Sequence, residues 1–403
     1  MKDLKIENLI KKEKIRQKKV INLIASENFV SKDALKALGS VFVNKYAEGY
    51  PGKRYYGGNE IVDKVEILCQ NRALKLFGLD KKKWSVNVQP YSGSPANLAV
   101  FLALVPKGGK IMGMSLDMGG HLTHGQEMSI TGKFWRRVSY GVNKKTERLD
   151  YAEILKLARK EKPAIIVAGA TAYSREIDFE KFREIADSVG AYLLADISHI
   201  AGLVSAGEHP SPFCGRKGRL LADVVMTTTH KTLRGPRGAM IFSRKALSGK
   251  IDKAVFPGVQ GGPHVNQIAA MAVALREASD SSFKKYARQV VKNAKALSGE
   301  LERLGWRIVS GGTDTHLFLV DTWGRKKDAK RARVSGGQAQ IMLEREGIIV
   351  NKNAIPYDTR KPSDPSGIRL GSPAVTSLGL KENDMKRIAA RIDKILTLQN
   401  HDN

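Results

Sequence analysis

A lysine follows a predicted strand and precedes a turn rich in glycine, proline and arginine, in the run TTTHKTLRGPRG at residues 227–238. This lysine is Lys231, with Thr228 and His230 before it and Arg237 after it. A lysine side chain attacks a carbonyl group when burial and neighbouring cations lower its pKa, and His230 and Arg237 are placed to supply such surroundings. Taken alone, Lys231 is explained more simply as one of many surface lysines, so its interpretation depends on the rest of the chain.

A carboxylate stands at the end of a second predicted strand. The apolar run at residues 192–195 leads into Asp196, and His199 follows three residues later. In open α/β sheets, ligands bind beyond the carboxyl ends of the strands. An aspartate at that place pairs with a protonated pyridine nitrogen while a lysine from a neighbouring strand forms an imine, which is the arrangement that binds pyridoxal phosphate. The simpler alternative is that Asp196 caps a helix.

Two glycine-containing turns are candidates for holding a phosphate group. The run SGSPAN at residues 92–97 precedes an apolar helix, with Ser94 predicted as its N-cap and Pro95 as its first residue. Free N–H groups and hydroxyls at such a helix start bind anions. Gly261 and Gly262 offer a second place where the backbone can approach a phosphate closely.

Two histidines, His121 and His124, stand three residues apart in the run GGHLTHG at residues 119–125. A metal site is one interpretation, but no acidic or cysteine ligand accompanies the two rings. The flanking glycines allow a close approach, which favours a histidine ring stacked on a cofactor.

Periodic apolar residues predict the elements that must position these groups. One helical stripe runs from Glu60 to a stop at Gly78, and another runs from Phe179 to a stop at Gly190. Short apolar runs alternate with such helices, which indicates a parallel sheet covered on both faces. These runs lie at residues 164–168, 192–195 and 223–227.

Further along, a long helical stretch is predicted over residues 267–304. Short strands and two more helices follow it, which is typical of a smaller α+β domain. Near the other end of the chain, residues 40–59 contain many tyrosines and glycines without periodicity, and they are predicted to form an extended functional loop.

The composition is that of a folded protein of two to three domains, because the 403 residues are 42% hydrophobic and 27% charged. No apolar run approaches the length of a membrane span, and the charged N-terminus lacks the apolar core of a secretory signal. Two cysteines exclude a disulfide framework. A cytoplasmic protein is therefore expected.

The net charge of +28 raises nucleic acid as a partner. The basic residues are spread over the chain and are densest at residues 11–19, 216–219 and 325–333, without an RNA-binding aromatic pattern or zinc-finger spacing. A solvated basic surface that concentrates phosphates and carboxylates is the simpler interpretation. Nucleic acid remains only as a secondary role.

Together, these runs resemble the serine hydroxymethyltransferase family over most of the chain, from about residue 22 to the C-terminal helix. The runs that carry the resemblance are IASEN at 24–28, NKYAEGYPGKRYYGG at 44–58, GGHLTHG at 119–125, TTTHKTLRGPRG at 227–238, VFPGVQGGP at 255–263, SGGTDTHLFLVD at 310–321, VNKN at 350–353 and SGIRLGSPA at 366–374.

The resemblance implies a fold-type I pyridoxal-phosphate transferase of the α/β class. Its large domain would hold a mixed, mostly parallel sheet, and its smaller C-terminal domain would be α+β. Residues 1–50 would form an N-terminal arm that contacts a second subunit, residues 51–270 the large cofactor-binding domain, and residues 271–403 the small domain. The implied assembly is a homodimer, or a tetramer, with shared active sites.

The resemblance also implies the site residues. The catalytic residues would be Lys231, Glu48, Asp196, His121 and His230. The cofactor-binding residues would be Gly93, Ser94, His121, Thr171, Ser174, Asp196, His199, Thr228, His230, Lys231, Arg237, Gly261 and Gly262. The substrate-binding residues would be Ser26, Tyr46, Glu48, Tyr56, Arg369, Leu116, Gly120 and Leu122.

Each group has an implied role. Lys231 would bind pyridoxal phosphate covalently, Asp196 would pair with the pyridine nitrogen, and His121 would stack on the ring. Gly262 would reach the phosphate from the other subunit. Arg369 would clamp the substrate carboxylate, for which a bidentate guanidinium is suited.

The substrate pocket would be shared between subunits. Tyr46, Glu48 and Tyr56 would cross the dimer interface, and Glu48 would handle a proton near the serine hydroxyl and the folate amine. Leu116, Gly120 and Leu122 match positions that line the folate site.

The implied reaction is the reversible transfer of the hydroxymethyl group of L-serine to tetrahydrofolate, giving glycine and 5,10-methylenetetrahydrofolate through an external aldimine. The alternative is a related aldolase, such as a threonine aldolase or an α-methylserine hydroxymethyltransferase. Four departures from the family pattern leave the cofactor chemistry intact: Ser198, Asp117-Met118, a basic insertion at residues 214–221, and residues 357–365, which lack an apolar lip.

Overall fold

The computed structural model describes residues 2–324 and 333–397, without the side chain of Lys217. The chain separates into two compact units. The larger unit is Asn28–Gln289, and the smaller unit comprises the described residues within Met1–Glu27 and Val290–Asn403. Of the basic stretch at residues 325–333, only Arg333 is among the described residues.

Helices and strands alternate along most of the chain. The α-helices are α1 (Leu4–Lys19), α2 (Lys32–Leu38), α3 (Glu60–Leu76), α4 (Gly93–Leu104), α5 (Ile130–Phe134), α6 (Tyr151–Glu161), α7 (Phe179–Val189), α8 (Ala201–Ala206), α9 (Ser248–Lys253), α10 (Val265–Ala278), α11 (Ser281–Arg303), α12 (Gly336–Arg345), α13 (Pro373–Ser377) and α14 (Glu382–Thr397). The strands are β1 (Ile21–Asn22), β2 (Gly49–Tyr50), β3 (Lys53–Arg54), β4 (Trp84–Asn87), β5 (Lys110–Met114), β6 (Arg136–Tyr140), β7 (Ile165–Gly169), β8 (Tyr192–Asp196), β9 (Val224–Thr228), β10 (Ala239–Arg244), β11 (Arg307–Ile308), β12 (Leu317–Asp321), β13 (Ile348–Ile349), β14 (Asn351–Asn353) and β15 (Gly367–Gly371).

The larger unit is built on a seven-stranded sheet of order β4-β10-β9-β8-β7-β5-β6. Strand β10 runs antiparallel to both of its neighbours, and the remaining pairs are parallel. Every residue of β7 and β9 is buried, as expected for parallel strands covered on both faces. The predicted fold class, with its mixed and mostly parallel sheet, is confirmed. Because β8 and β9 are parallel neighbours, their carboxyl ends meet at one edge of the sheet.

Helix α7 illustrates how capping residues and a buried apolar face determine the bounds of a predicted helix. Asp178 caps its first turn by accepting a hydrogen bond from the Lys181 N–H at 3.0 Å. Phe182 and its apolar neighbours face the core. Gly190 ends the helix in the left-handed conformation with φ of 67°, which glycine adopts without steric cost. This end was predicted from the sequence.

The smaller unit contains an antiparallel four-stranded sheet of order β11-β12-β15-β14. Its apolar core includes side chains from α11, α12, α14 and the sheet. The chain start joins this core, because β1 pairs in parallel with β13 and Leu23 is fully buried there. The unit boundaries therefore fall after Glu27 and after Gln289. The roles predicted for residues 1–50, 51–270 and 271–403 stay predictions.

The single helix predicted over residues 267–304 is two helices, α10 and α11. The break falls at Ser279 and Asp280. The Ser279 hydroxyl donates to the Leu275 carbonyl at 2.9 Å, and the Ser279 N–H bonds to the Arg276 carbonyl. Serine and aspartate bind the backbone locally in this way and so favour helix ends over helix interiors.

Within the ranges 2–324 and 333–397, no helix has both the length and the apolar composition needed to cross a membrane.

Candidate active site

A buried carboxylate occupies the carboxyl end of β8. Asp196 Oδ2 accepts a hydrogen bond from Asn97 Nδ2 at 3.0 Å and lies 3.0 Å from His124 Nε2. Its Oδ1 accepts the Ser198 N–H at 3.1 Å. Burial alone raises the pKa of Asp196, but the hydrogen bond from His124 and the charges of the neighbouring histidines hold that pKa well below its usual value. Asp196 is therefore ionised at neutral pH.

The network continues to His121. Asn97 Nδ2 also donates to Thr123 Oγ1 at 2.8 Å, and Thr123 Oγ1 lies 2.7 Å from His121 Nδ1. Burial lowers the pKa of His121 to about 4, assisted by the nearby His124 and Lys231. At neutral pH the ring is uncharged, which suits a face packed against a flat aromatic ligand.

Lys231 follows β9 and is nearly buried, with 9% of its surface exposed. Two hydrogen bonds position its loop. Asn28 Nδ2 donates to the Lys231 carbonyl at 2.9 Å, and Thr232 Oγ1 donates to the His199 carbonyl at 2.8 Å. The charge of Lys231 also contributes to the lowered pKa of His121.

His230, beside Lys231, has a buried Nδ1 without a hydrogen-bond partner among the described residues. Burial, with the charges of Lys231 and Arg237, lowers the pKa of His230 to about 3. A buried nitrogen without a partner is costly unless a ligand satisfies it.

The start of α4 lies against the end of β9. A Cβ added to Gly93 would lie 2.8 Å from Thr228 Cγ2, so this approach requires glycine. The N-cap is Ser92 and not the predicted Ser94, because the Ser92 carbonyl accepts the first helical bond from Ala96 at 3.2 Å. Ser94 therefore lies within the first turn, where backbone N–H groups have no intrahelical acceptor.

A tight turn presents His121 to the site. The Thr171 N–H donates to the Gly119 carbonyl at 2.8 Å, and Thr171 Oγ1 donates to the Gly120 carbonyl at 2.8 Å. A Cβ on Gly120 would lie 2.0 Å from the Met114 carbonyl oxygen, so only glycine fits there. Ser174 and His199 are both buried in the same unit.

A second group of predicted residues also comes together within the larger unit. The Tyr46 hydroxyl donates to Glu48 Oε1 at 3.3 Å, and the Tyr46 and Tyr56 rings contact edge to face at 5.0 Å. A Cβ on Gly261 would lie 3.3 Å from Glu48 Oε1, and one on Gly262 would lie 3.5 Å from Glu48 Cγ. The negative charge of Glu48 raises the pKa of Tyr46.

The predicted folate-lining residues differ in exposure. Leu116 and Leu122 are 37% and 44% exposed, whereas Gly120 between them is buried. Two apolar side chains therefore face solvent on either side of the turn that carries His121.

Two predicted substrate residues, Ser26 and Arg369, belong to the smaller unit. Arg369 lies on β15, and its Nε donates to Asn351 Oδ1 at 3.0 Å. Burial lowers the pKa of the Arg369 guanidinium to about 10, so it keeps its charge at neutral pH. The segment before Ser26 packs at the end of the same strand, where a Cβ on Gly371 would lie 2.4 Å from Ala25 Cα.

Three functional side chains were missed by sequence reasoning: Asn97, Thr123 and His124. The spacing of His121 and His124 suggests a metal site or, better, a ring stacked on a cofactor, and neither interpretation pairs His124 with Asp196. Nothing in the local pattern connects His124 to a carboxylate 72 residues away.

The larger-unit groups around Lys231 fit pyridoxal phosphate. An ionised carboxylate suits a protonated pyridine nitrogen, a neutral imidazole suits the ring face, and a buried lysine suits an aldehyde. The unpartnered His230 nitrogen and the start of α4 suit a phosphate. With a mixed, mostly parallel sheet, these features define a fold-type I pyridoxal-phosphate enzyme.

Comparison with known proteins narrows the class. The family model described as serine hydroxymethyltransferase matches residues 1–392. The serine hydroxymethyltransferase of Sorangium cellulosum is 53% identical over 393 residues, covering 98% of this chain and 89% of that protein. That of Acidothermus cellulolyticus is 52% identical over 395 residues, covering 98% and 88%. The chain belongs to the serine hydroxymethyltransferase family. This membership confirms the predicted enzyme class, with pyridoxal phosphate as cofactor and tetrahydrofolate as co-substrate.

The depressed pKa of His121 is testable by NMR. A histidine whose folded pKa is about 4 stays neutral while an unfolded one takes up a proton near pH 6.5, so lowering the pH through this window favours unfolding. In cofactor-free protein with labelled histidine, we expect the His121 ring signal to remain that of a neutral ring down to about pH 5. The signal is assigned by its loss in His121→Asn. A midpoint near 6.5, as in the denatured chain, would contradict this.

Proposed function

We propose that this chain transfers the hydroxymethyl group of L-serine reversibly to tetrahydrofolate, giving glycine and 5,10-methylenetetrahydrofolate, with Lys231 as the residue that carries the cofactor covalently. The observation that carries the proposal is the ionised Asp196 at the end of β8, next to the strand that leads to Lys231. This pair supplies an anion and an amine at one edge of the sheet.

Pyridoxal phosphate, when bound, supplies an electron-accepting ring at this edge. Asp196 keeps a proton on the pyridine nitrogen, because its own low pKa leaves it negative at neutral pH. Neutral His121 packs on the ring without competing for that proton. Gly93, Ser94 and His230 bind the phosphate, aided by the close approach that Gly93 permits.

The remaining cofactor contacts are assigned by resemblance. His199, Thr171 and Ser174 lie near the cofactor hydroxyl, and Thr228 and Arg237 flank the Lys231 loop.

Different residues bind the serine carboxylate and handle the proton. Arg369 binds the serine carboxylate, with its guanidinium oriented by the bond to Asn351, and Ser26 is a further substrate-binding residue of the same unit. Glu48 holds or moves a proton near the serine hydroxyl and the folate amine, with Tyr46 donating to its carboxylate.

The folate face is lined by Leu116, Gly120 and Leu122. The two exposed leucines offer apolar surface for a pterin ring on either side of the His121 turn. Folate dependence of serine cleavage distinguishes this activity from that of a related folate-independent aldolase.

We propose a homodimer, or a tetramer built from it, in which Tyr46, Glu48, Tyr56 and Gly262 complete the partner's site, and Gly261 also binds the cofactor. Apolar side chains exposed in the larger unit support this assembly, since such surface is normally covered. They include Val41, Val43, Tyr55, Ile61 and Leu68.

Two further assignments are minor parts of the proposal. A cytoplasmic location fits the two free cysteines, Cys69 and Cys214, because reduced thiols are typical of that compartment. Nucleic-acid binding by the basic surface is at most secondary, and it would appear as RNA retention that falls steeply with salt.

The transfer and the role of Lys231 are tested together. The purified protein should convert serine to glycine with tetrahydrofolate and show little conversion without it. Lys231→Ala should fold and abolish conversion, because alanine has no amine with which to carry the cofactor. Conversion is measured by glycine release, and folding by the thermal midpoint. Wild-type turnover by the alanine variant would refute the assignment, and folate-independent turnover by the wild type would favour an aldolase.

The shared site is tested by mixing two inactive variants. Lys231→Ala and Glu48→Gln should each be inactive as homodimers. If the two residues of one site come from different subunits, a mixed dimer contains one site in which both are intact. Refolding them together in equal amounts makes about half the dimers mixed, each with one intact site, so activity should return to about a quarter of wild type. No recovery, with mixed dimers confirmed by mass, would place both residues of a site in the same chain.

A further inference from the structure

A buried arginine holds the backbone on both sides of Glu48. Arg54, at the end of β3, has 4% of its side chain exposed. Its Nη1 donates to the Ala47 carbonyl at 2.9 Å and to the Gly49 carbonyl at 2.8 Å. These are the carbonyls of the residues on either side of Glu48, and the Glu48 carbonyl between them accepts the Tyr55 N–H at 3.1 Å. The guanidinium therefore holds the peptide unit that precedes Glu48 and the one that follows Gly49.

Two acids of α3 anchor this arginine. Arg54 Nε donates to Asp63 Oδ1 at 2.9 Å, and Arg54 Nη2 donates to Glu66 Oε2 at 2.6 Å. Burial raises the pKa of Glu66, while the positive charge of Arg54 and its hydrogen bond oppose that rise. Asp63 Oδ2 also accepts the Gly52 N–H at 2.8 Å, which secures the hairpin turn between β2 and β3. Helix α3 thus serves as the rigid support.

Gln89 connects Glu66 of helix α3 to the backbone next to Glu48. Gln89 Nε2 donates to Glu66 Oε1 at 2.9 Å and to the Gly49 carbonyl at 3.0 Å. The Gln89 carbonyl accepts from Gln260 Nε2 at 2.7 Å. Gln260 directly precedes Gly261, which lies against the Glu48 carboxylate. The Glu48 backbone and the turn that contacts its side chain therefore share one buried network.

Glu48 depends on this support, because its own side chain is weakly held. Among the described residues, its carboxylate accepts a long hydrogen bond from the Tyr46 hydroxyl, at 3.3 Å, and Tyr46 is itself more than half exposed. A carboxylate held so loosely at its tip keeps its place only if its backbone does. Misplacing a proton-handling group by about 1 Å can cost about a hundredfold in rate.

We infer that Arg54, anchored by Glu66, is a positioning residue that sets the place of Glu48 for proton handling. The inference rests on the proposed role of Glu48. Arginine is required because its planar guanidinium donates four hydrogen bonds in fixed directions. A lysine ammonium cannot reproduce this geometry. With its side chain buried and its donors bound to the chain, Arg54 acts through the backbone around Glu48.

A double-mutant cycle in the cofactor-loaded enzyme tests this. Arg54→Lys should lower kcat for serine conversion with tetrahydrofolate by about tenfold to a hundredfold, with the serine KM within about twofold, because Arg369 binds the carboxylate. Glu48→Gln should lower kcat more. The double variant should match Glu48→Gln within about twofold, since a residue that acts only through Glu48 has nothing left to position.

Matched variants separate positioning from general destabilisation. Arg72→Lys alters an arginine that lies on α3 itself, whose Nη1 donates to the Ala272 carbonyl at 2.7 Å, and it should leave kcat within about twofold even if its thermal midpoint falls. Should Arg54→Lys not fold, Glu66→Gln replaces it in the cycle with the same expected pattern.

Three results would overturn the inference or its basis. An unchanged kcat in Arg54→Lys, or losses that multiply in the double variant, would overturn the positioning role while leaving the role of Glu48 intact. Full activity of Glu48→Gln alone would instead remove the proposed role of Glu48, and this outcome is visible in the single variant.

Discussion

A negative charge buried at the end of β8 is the constraint on which the rest of the larger unit depends. An ionised carboxylate without partners is very costly to bury. Asp196 is kept ionised by Asn97, His124 and the Ser198 N–H, which bind both of its oxygens. These donors come from three separate parts of the chain, so the charge requires that the fold bring all three together.

The sheet and its glycines make that convergence possible. Parallel pairing of β7, β8 and β9 places their carboxyl ends along one edge. Gly169, at the end of β7, permits the approach of β8, since a Cβ there would lie 2.4 Å from the Asp196 carbonyl oxygen. Gly93 does the same between α4 and β9. Substituted glycines at these positions would push the strand ends apart and leave Asp196 without its donors.

Buried charges also position a titratable group in the Arg54 network. There the buried charges are structural, with one arginine between Asp63 and Glu66, and the group they serve is a partly exposed carboxylate. The chain thus builds one charged group into the sheet edge and supports another from a helix. Both arrangements place titratable groups by fixing the backbone first.

Regular elements were predictable because they repeat locally. The stripe of α7 and its stop at Gly190 agree with the structure to the residue. The break at Ser279 was not foreseen, because the apolar stripes on either side of it read as continuous. The shift of the α4 N-cap from Ser94 to Ser92 has a similar cause, since both serines are good caps by type.

The site was predictable only in part. Asp196 and Lys231 follow predicted strands, so their place at the sheet edge could be derived from the residues. Glu48 and Arg369 came from family resemblance alone. The bonds of Asp196 to His124 and Asn97 span 72 and 99 residues, and no local pattern encodes such pairings.

The most direct test of this account is the charge on Asp196 itself. Asp196→Asn keeps the side-chain shape but removes the negative charge, so it cannot keep a proton on the pyridine nitrogen. We expect serine conversion with tetrahydrofolate to fall by at least about a hundredfold, equivalent to about 2.7 kcal/mol of barrier, in a variant that remains folded by its thermal midpoint. Turnover within about twofold of wild type in that folded variant would show that the buried charge is not what the site depends on.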